Sequence, residues 1–138
     1  MTDIANKIIE LRVALRRICM CESSEKGKST LSLKTKVLFL IEKGLSSKDI
    51  IATLNIAKTN LALITNSLAE NGLITKRKKS RDRREKAYLL TDAGEDYLNE
   101  CRENINSLFK SVITSDDDND DACNKIDEVL NLLSFVGY

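Results

Sequence analysis

At 138 residues, with 31% charged and 4% aromatic side chains, the chain has the length of one domain able to bury about two-thirds of its unfolded surface. It contains no proline, tryptophan or histidine, and the missing histidine excludes His-based acid–base catalysis, Ser-His or Cys-His nucleophile pairs and His-ligated metal. The net charge of +1 hides an asymmetry, because residues 1–74 balance at +4, residues 75–94 at +5 and residues 95–138 at −8; a basic front and an acidic rear suggest one face that meets a polyanion.

The N-terminus is a charged amphipathic segment unlike a signal peptide, and no apolar run approaches membrane-spanning length, so a soluble cytoplasmic protein with no membrane partner is expected. Residues 3–21 place Ile4, Ile8, Leu11, Leu15 and Ile18 at steps of three and four, which predicts an amphipathic helix. Ile9, Val13 and Ala14 widen its apolar stripe. A helix of this kind either reaches across to a partner subunit or packs on its own core, and the periodicity fits both.

Residues 23–30 are polar and hold Gly27, the mark of a loop. Ser32 can cap a second helix through Leu33, Val37, Leu38, Leu40 and Ile41, ended by Gly44. Ser46 and Asp49 have capping-box spacing and open a short helix through Ile50, Ile51 and Leu54. A further helix, 57–71, would bury Leu61, Ile64 and Leu68 and stop at Gly72. Two short helices joined by a tight turn, the second with a polar face, make a helix-turn-helix candidate.

Residues 75–86 follow, with eight cationic side chains in twelve and only Asp82 and Glu85 opposing them. Most charge runs are solvated faces, but this one is flanked by Leu73-Ile74 and by Ala87-Tyr88-Leu89-Leu90. That layout predicts a hairpin, with strands 73–79 and 85–90 and a basic tip. Nucleic acid phosphate is the obvious counterpart, since each Lys or Arg that meets a phosphate releases condensed counterions. Thr91 can cap the next helix, expected to reach about Ile113 through Tyr97, Leu98, Ile105, Leu108, Phe109 and Val112. The five aspartates of 115–121 are expected to be solvated just before a last helix carrying Ile126, Val129, Leu130, Leu133 and Val136.

Three motifs stand in order over residues 32–98: Asn71-Gly72-Leu73-Ile74 after the fourth helix, Ser80-Arg81-Asp82-Arg83-Arg84 at the hairpin tip, and Leu90-Thr91-Asp92-Ala93-Gly94 before the next helix. With them the stretch resembles the MarR family of winged helix-turn-helix transcription regulators. The first is similar to the family's turn into the wing, the second to its wing tip with its Asp-x-Arg, and the third to the Leu-Thr-x-x-Gly that opens the following helix. It implies a mainly α fold with a small β-hairpin wing, in which a DNA-binding lobe at 32–91 sits between dimerisation helices at 1–22 and 92–138. It also implies a homodimer on a pseudo-palindromic duplex, with helix 57–71 in the major groove and the hairpin in the neighbouring minor groove. A small-molecule effector belongs to the same picture.

Carried onto this chain, the wing-tip match makes Arg84 the residue inserted in the minor groove and Asp82 the carboxylate that orients it. Arg81 and Arg83 then lie along flanking phosphates, and Lys79 is a further DNA-binding candidate. For the major groove the sequence offers Lys58, Thr59, Asn60, Ala62 and Asn66. Asn60 suits an adenine and Thr59 or Ala62 a thymine methyl, although Thr59 and Asn60 also fit phosphate or water contacts. Lys34 and Lys36 are further phosphate candidates or simply solvated. The chain departs from the family at Leu63 and Ser67, where arginine is common, and at Ala57, where a serine or threonine cap is usual. The implied reading head is lean.

Cys19, Cys21, Cys101 and Cys123 form no C-x-x-C pair, which argues against structural zinc, and no cofactor is expected. Cys19 and Cys21, near Arg16 and Arg17, fit either a thiol redox switch or small apolar filler. No catalytic constellation stands out. The competing function is a winged-helix scaffold module that binds protein and whose basic hairpin is incidental.

Overall fold

The computed structural model describes residues 3–21, 32–78 and 86–135. In chain order they form α1 (Ile4–Cys21), α2 (Leu33–Glu42), α3 (Ser47–Leu54), α4 (Lys58–Glu70), β1 (Ile74–Lys78), β2 (Lys86–Leu90), α5 (Asp92–Leu108) and α6 (Asp116–Ser134). The chain is thus mostly helical with one small antiparallel hairpin. Two units divide it, Met1–Cys101 and Arg102–Tyr138.

Within the first unit the helix boundaries follow from local chemistry. The Ser32 hydroxyl accepts from the Thr35 N–H at 3.2 Å and starts α2. At the end of α4, Gly72 takes φ +74, a conformation that costs L-residues about 1–2 kcal/mol. The Leu73 N–H then reaches the Leu68 carbonyl at 2.9 Å and the Gly72 N–H reaches Ala69 at 3.0 Å. This pair of bonds satisfies two otherwise orphaned carbonyls and turns the chain directly into β1.

The core gathers Val37, Leu38 and Ile41 from α2, Ile50 from α3, Leu61 and Leu68 from α4, Ile74 and Tyr88 from the hairpin and Leu98 from α5. The strands pair antiparallel, Ile74 with Leu90 through to Lys78 with Lys86. Alternation puts Ile74 and Tyr88 on the buried face, while Thr75, Arg77 and Leu89 face solvent. Helix α4 and the hairpin therefore share one core. Among its described side chains, helix α1 contributes nothing fully buried to it: Ile4, Ile9, Val13 and Leu15 are each more than half exposed. Of the two readings of its apolar stripe, packing on this chain's own core is the one the structure does not bear out.

In the second unit the aspartates depart from expectation. They are exposed, as expected, but Asp116, Asp117 and Asp118 form the first turn of α6 itself rather than a segment before it. Ser115 caps the helix by accepting from the Asp118 N–H at 3.1 Å, and carboxylates in a first turn are favoured by the helix dipole. Hydrogen bonds from the Thr114 hydroxyl and N–H hold the exposed Asp118 carboxyl below its usual range.

Helix α5 also stops earlier than expected, at Leu108. Beyond it the N–H groups of Phe109, Lys110 and Val112 bond three residues back rather than four, the tighter turn that ends many helices. Helix α6 buries no side chain fully; Ile126, Leu130, Leu132 and Phe135 are all more than 40% exposed. Val136 lies outside the described residues. Among the described residues no helix is long and apolar enough to cross a membrane.

Candidate nucleic-acid interface

The helix-turn-helix is built at its two caps. Ser46 starts α3, its hydroxyl accepting from the Asp49 N–H at 3.4 Å and donating to the Asp49 carboxylate at 3.0 Å. Asn55 ends α3 in the left-handed region, φ 52, a conformation asparagine tolerates better than most residues. After Ile56, Ala57 holds the N-cap position of α4 with extended geometry and no side-chain cap bond. A hydroxyl there would take up one orphaned N–H, so Ala57→Ser should stabilise the protein by about 1 kcal/mol. Chemical denaturation checks this, and an unchanged midpoint would count against Ala57 as the cap.

Helix α4 has two distinct faces. Leu61, Thr65 and Leu68 recur at steps of four and three and are buried. Thr65 is a polar residue inside the core, 1% exposed, and its hydroxyl is satisfied by the Leu61 and Ala62 carbonyls at 3.0 and 3.2 Å. The sequence pointed instead to Ile64, which is only partly buried. On the other side Lys58, Thr59, Asn60, Ala62, Leu63 and Asn66 are all exposed. The five expected groove residues thus share the open side of α4, together with a leucine that sequence reasoning left out.

The hairpin is bound to α4 at two levels. The Lys76 ammonium donates to the Asn66 side-chain carbonyl, joining β1 to α4 across ten residues of sequence. Asn66 is therefore engaged, and a bidentate contact to adenine would require it to let Lys76 go; Asn60 is the better adenine candidate. At the base, the Thr91 hydroxyl donates to the Gly72 carbonyl at 2.6 Å and accepts from the Gly94 N–H at 3.1 Å. The Thr91 N–H meets the Leu73 carbonyl at 3.1 Å. A single threonine so ties the end of α4, the start of β1 and the first turn of α5 together. Gly94 completes the joint, because a Cβ there would lie 2.1 Å from the Leu73 carbonyl oxygen.

Lys79, Arg81, Asp82, Arg83 and Arg84 lie outside the described residues. The strands that lead to them are in place, with Lys78 paired to Lys86 as the last rung. Arg77 is exposed on the outer face of β1. Lys36 is exposed and Lys34 half-buried in the first turn of α2. Lys76 is the polar contact the sequence did not single out; it sits in the basic run, but its partner depends on hairpin register.

Cys101 is buried, its sulfur 3.8 Å from the Thr35 hydroxyl, which suits the filler role. Cys123 is exposed, and the side chains of Cys19 and Cys21 lie outside the described residues. Among the described residues no group of three or more His, Cys, Asp or Glu side chains is arranged to hold a metal.

Residues 37–94 match the family model for a winged helix DNA-binding domain. The fold is similar to that of wild-type MarR from E. coli, with a TM-score of 0.71 at 16% identity over 94% of this chain and 98% of that one. A MarR-family transcriptional regulator from Rhodococcus sp. RHA1 aligns with a TM-score of 0.70 at 16% identity over 100% and 99%. FabT from Streptococcus pneumoniae, solved in complex with DNA, aligns with a TM-score of 0.67 at 15% identity over 97% and 99%. No curated protein sequence matches.

Proposed function

We propose, from the premise that this chain carries a winged helix DNA-binding domain within the fold of MarR-family regulators, that it is a sequence-specific DNA-binding transcriptional regulator. The observation that supports this most directly is the division of α4. One face is locked into the core by Leu61, Thr65 and Leu68, and the other presents Lys58, Thr59, Asn60, Ala62 and Asn66 to solvent. An α-helix with an open polar face fits the major groove, where base edges are distinguishable. The hairpin, tied to that helix through Lys76 and Thr91, then carries the basic tip toward the adjacent minor groove. Arg84 would enter that groove, oriented by Asp82, with Lys79, Arg81 and Arg83 on the phosphates beside it. Lys34 and Lys36 add phosphate contacts from α2.

The functional unit is a homodimer, with lobes at 1–22 and 92–138 forming its interface. Exposed apolar side chains on α1 and α6 support this, since a second copy would remove them from water. Two copies place two α4 helices on a pseudo-palindrome.

The test is selection of bound sequences from a random duplex pool, followed by sedimentation of the protein alone. An inverted repeat recovered by a dimer is expected; a protein that retains no duplex at low salt overturns the regulator and favours the scaffold reading. Ile9→Glu combined with Val13→Glu on α1 should leave a folded monomer at micromolar concentration and weaken inverted-repeat binding. A variant that still sediments as a dimer would remove α1 from the interface.

A further inference from the structure

Among the described residues between 32 and 90 the exposed large apolar side chains are Phe39, Leu63 and Leu89, and Leu63 is the most open of them at 71%. Its position in α4 sets it apart. It lies one turn from Thr59 and Asn60 on one side and one turn from Asn66 and Ser67 on the other, spacings that bring side chains together on a helix surface. The core residues Leu61, Thr65 and Leu68 occupy the opposite side. Leu63 is thus an apolar side chain at the middle of a polar surface.

Leucine has no donor or acceptor. In the major groove guanine, cytosine and adenine present hydrogen-bonding groups, and only thymine adds an apolar one, its C5-methyl. Pressed against any other base edge, Leu63 would displace water from a polar atom and return no hydrogen bond. Against a thymine methyl it would bury apolar surface on both sides. We infer that Leu63 is a specificity-determining residue that selects thymine through its 5-methyl group at one position of each half-site. This rests on the DNA-binding reading above and goes beyond it, because it assigns one base and one atom to a side chain.

The test uses the full chain and the duplex recovered by selection. Each thymine is replaced in turn by uracil, which removes the methyl group and leaves the pairing edge intact. Wild-type protein should lose about fourfold in affinity per half-site at one position, as expected for one buried methyl. Leu63→Ala should bind the thymine duplex more weakly by at least that factor, and should not distinguish thymine from uracil at that position. Because Leu63 is exposed, the variant keeps the core, and circular dichroism confirms that it is folded. If the protein binds its duplex but wild type and Leu63→Ala respond alike to every uracil, the inference is overturned and the regulator reading stands. If no duplex is bound, both fall together.

Discussion

Replacing Gly94 by alanine should destabilise the first unit by on the order of 3 kcal/mol, lowering the thermal midpoint by roughly 10 °C for a chain of this size. At an ordinary helix position the same change gains about 1 kcal/mol, because alanine is the better helix former. The sign reverses here because the new Cβ would meet the Leu73 carbonyl oxygen at 2.1 Å and its carbon at 3.1 Å. Both are backbone atoms, and neither can swing aside as a side-chain end would. That carbonyl is also the acceptor for the Thr91 N–H, so moving it strains the joint that ties α4, β1 and α5 together. Gly72→Ala provides the comparison: nothing lies within 4 Å of its Cβ position and only its φ of +74 opposes a side chain, so its cost should stay near 1–2 kcal/mol. Chemical denaturation of the two variants separates crowding from backbone conformation. A Gly94→Ala midpoint at or above wild type would mean that α5 does not press on the wing's base as described.

Much of the first unit was legible because its signals are local. Ser46 with Asp49, Gly72 after the apolar run of α4, and Thr91 with Gly94 each act over a few residues, and each stands where its spacing indicates. Contacts that depend on how distant segments are set beside one another were not legible. Nothing in the sequence pairs Lys76 with Asn66, since that bond exists only once β1 returns along α4. Thr65 was missed for a related reason: a hydroxyl that bonds back to its own helix no longer needs water, so a polar residue takes a core position that pattern assigns to Ile64. The stripe of α1 was visible as apolar, yet periodicity cannot say what covers it. Its exposure in the folded chain favours a second copy, one of the two readings the periodicity allowed.

Neutralising Arg81, Arg83 and Arg84 together should flatten the salt dependence of duplex binding by close to one unit of log–log slope for each phosphate contact removed. If all three meet phosphate, the wild-type protein loses roughly fortyfold more affinity than the triple variant between 50 and 200 mM salt. The single variants carry more information than the triple. If Arg81 and Arg83 lie on flanking phosphates as proposed, Arg81→Gln and Arg83→Gln should weaken binding about equally for all sequences and lower the slope. Arg84→Gln should cost most on duplexes whose wing-facing step is an A-tract, where a narrow minor groove concentrates negative potential. Asp82→Asn decides between the two roles of the tip. On Coulomb grounds alone, removing a carboxylate from a basic segment strengthens binding to a polyanion. If Asp82 instead orients Arg84, its loss weakens binding and reproduces the Arg84→Gln sequence preference. Fluorescence anisotropy on A-tract and mixed-sequence duplexes over a salt series measures all of these. A triple variant with the wild-type slope would show that the tip of the wing does not touch the duplex.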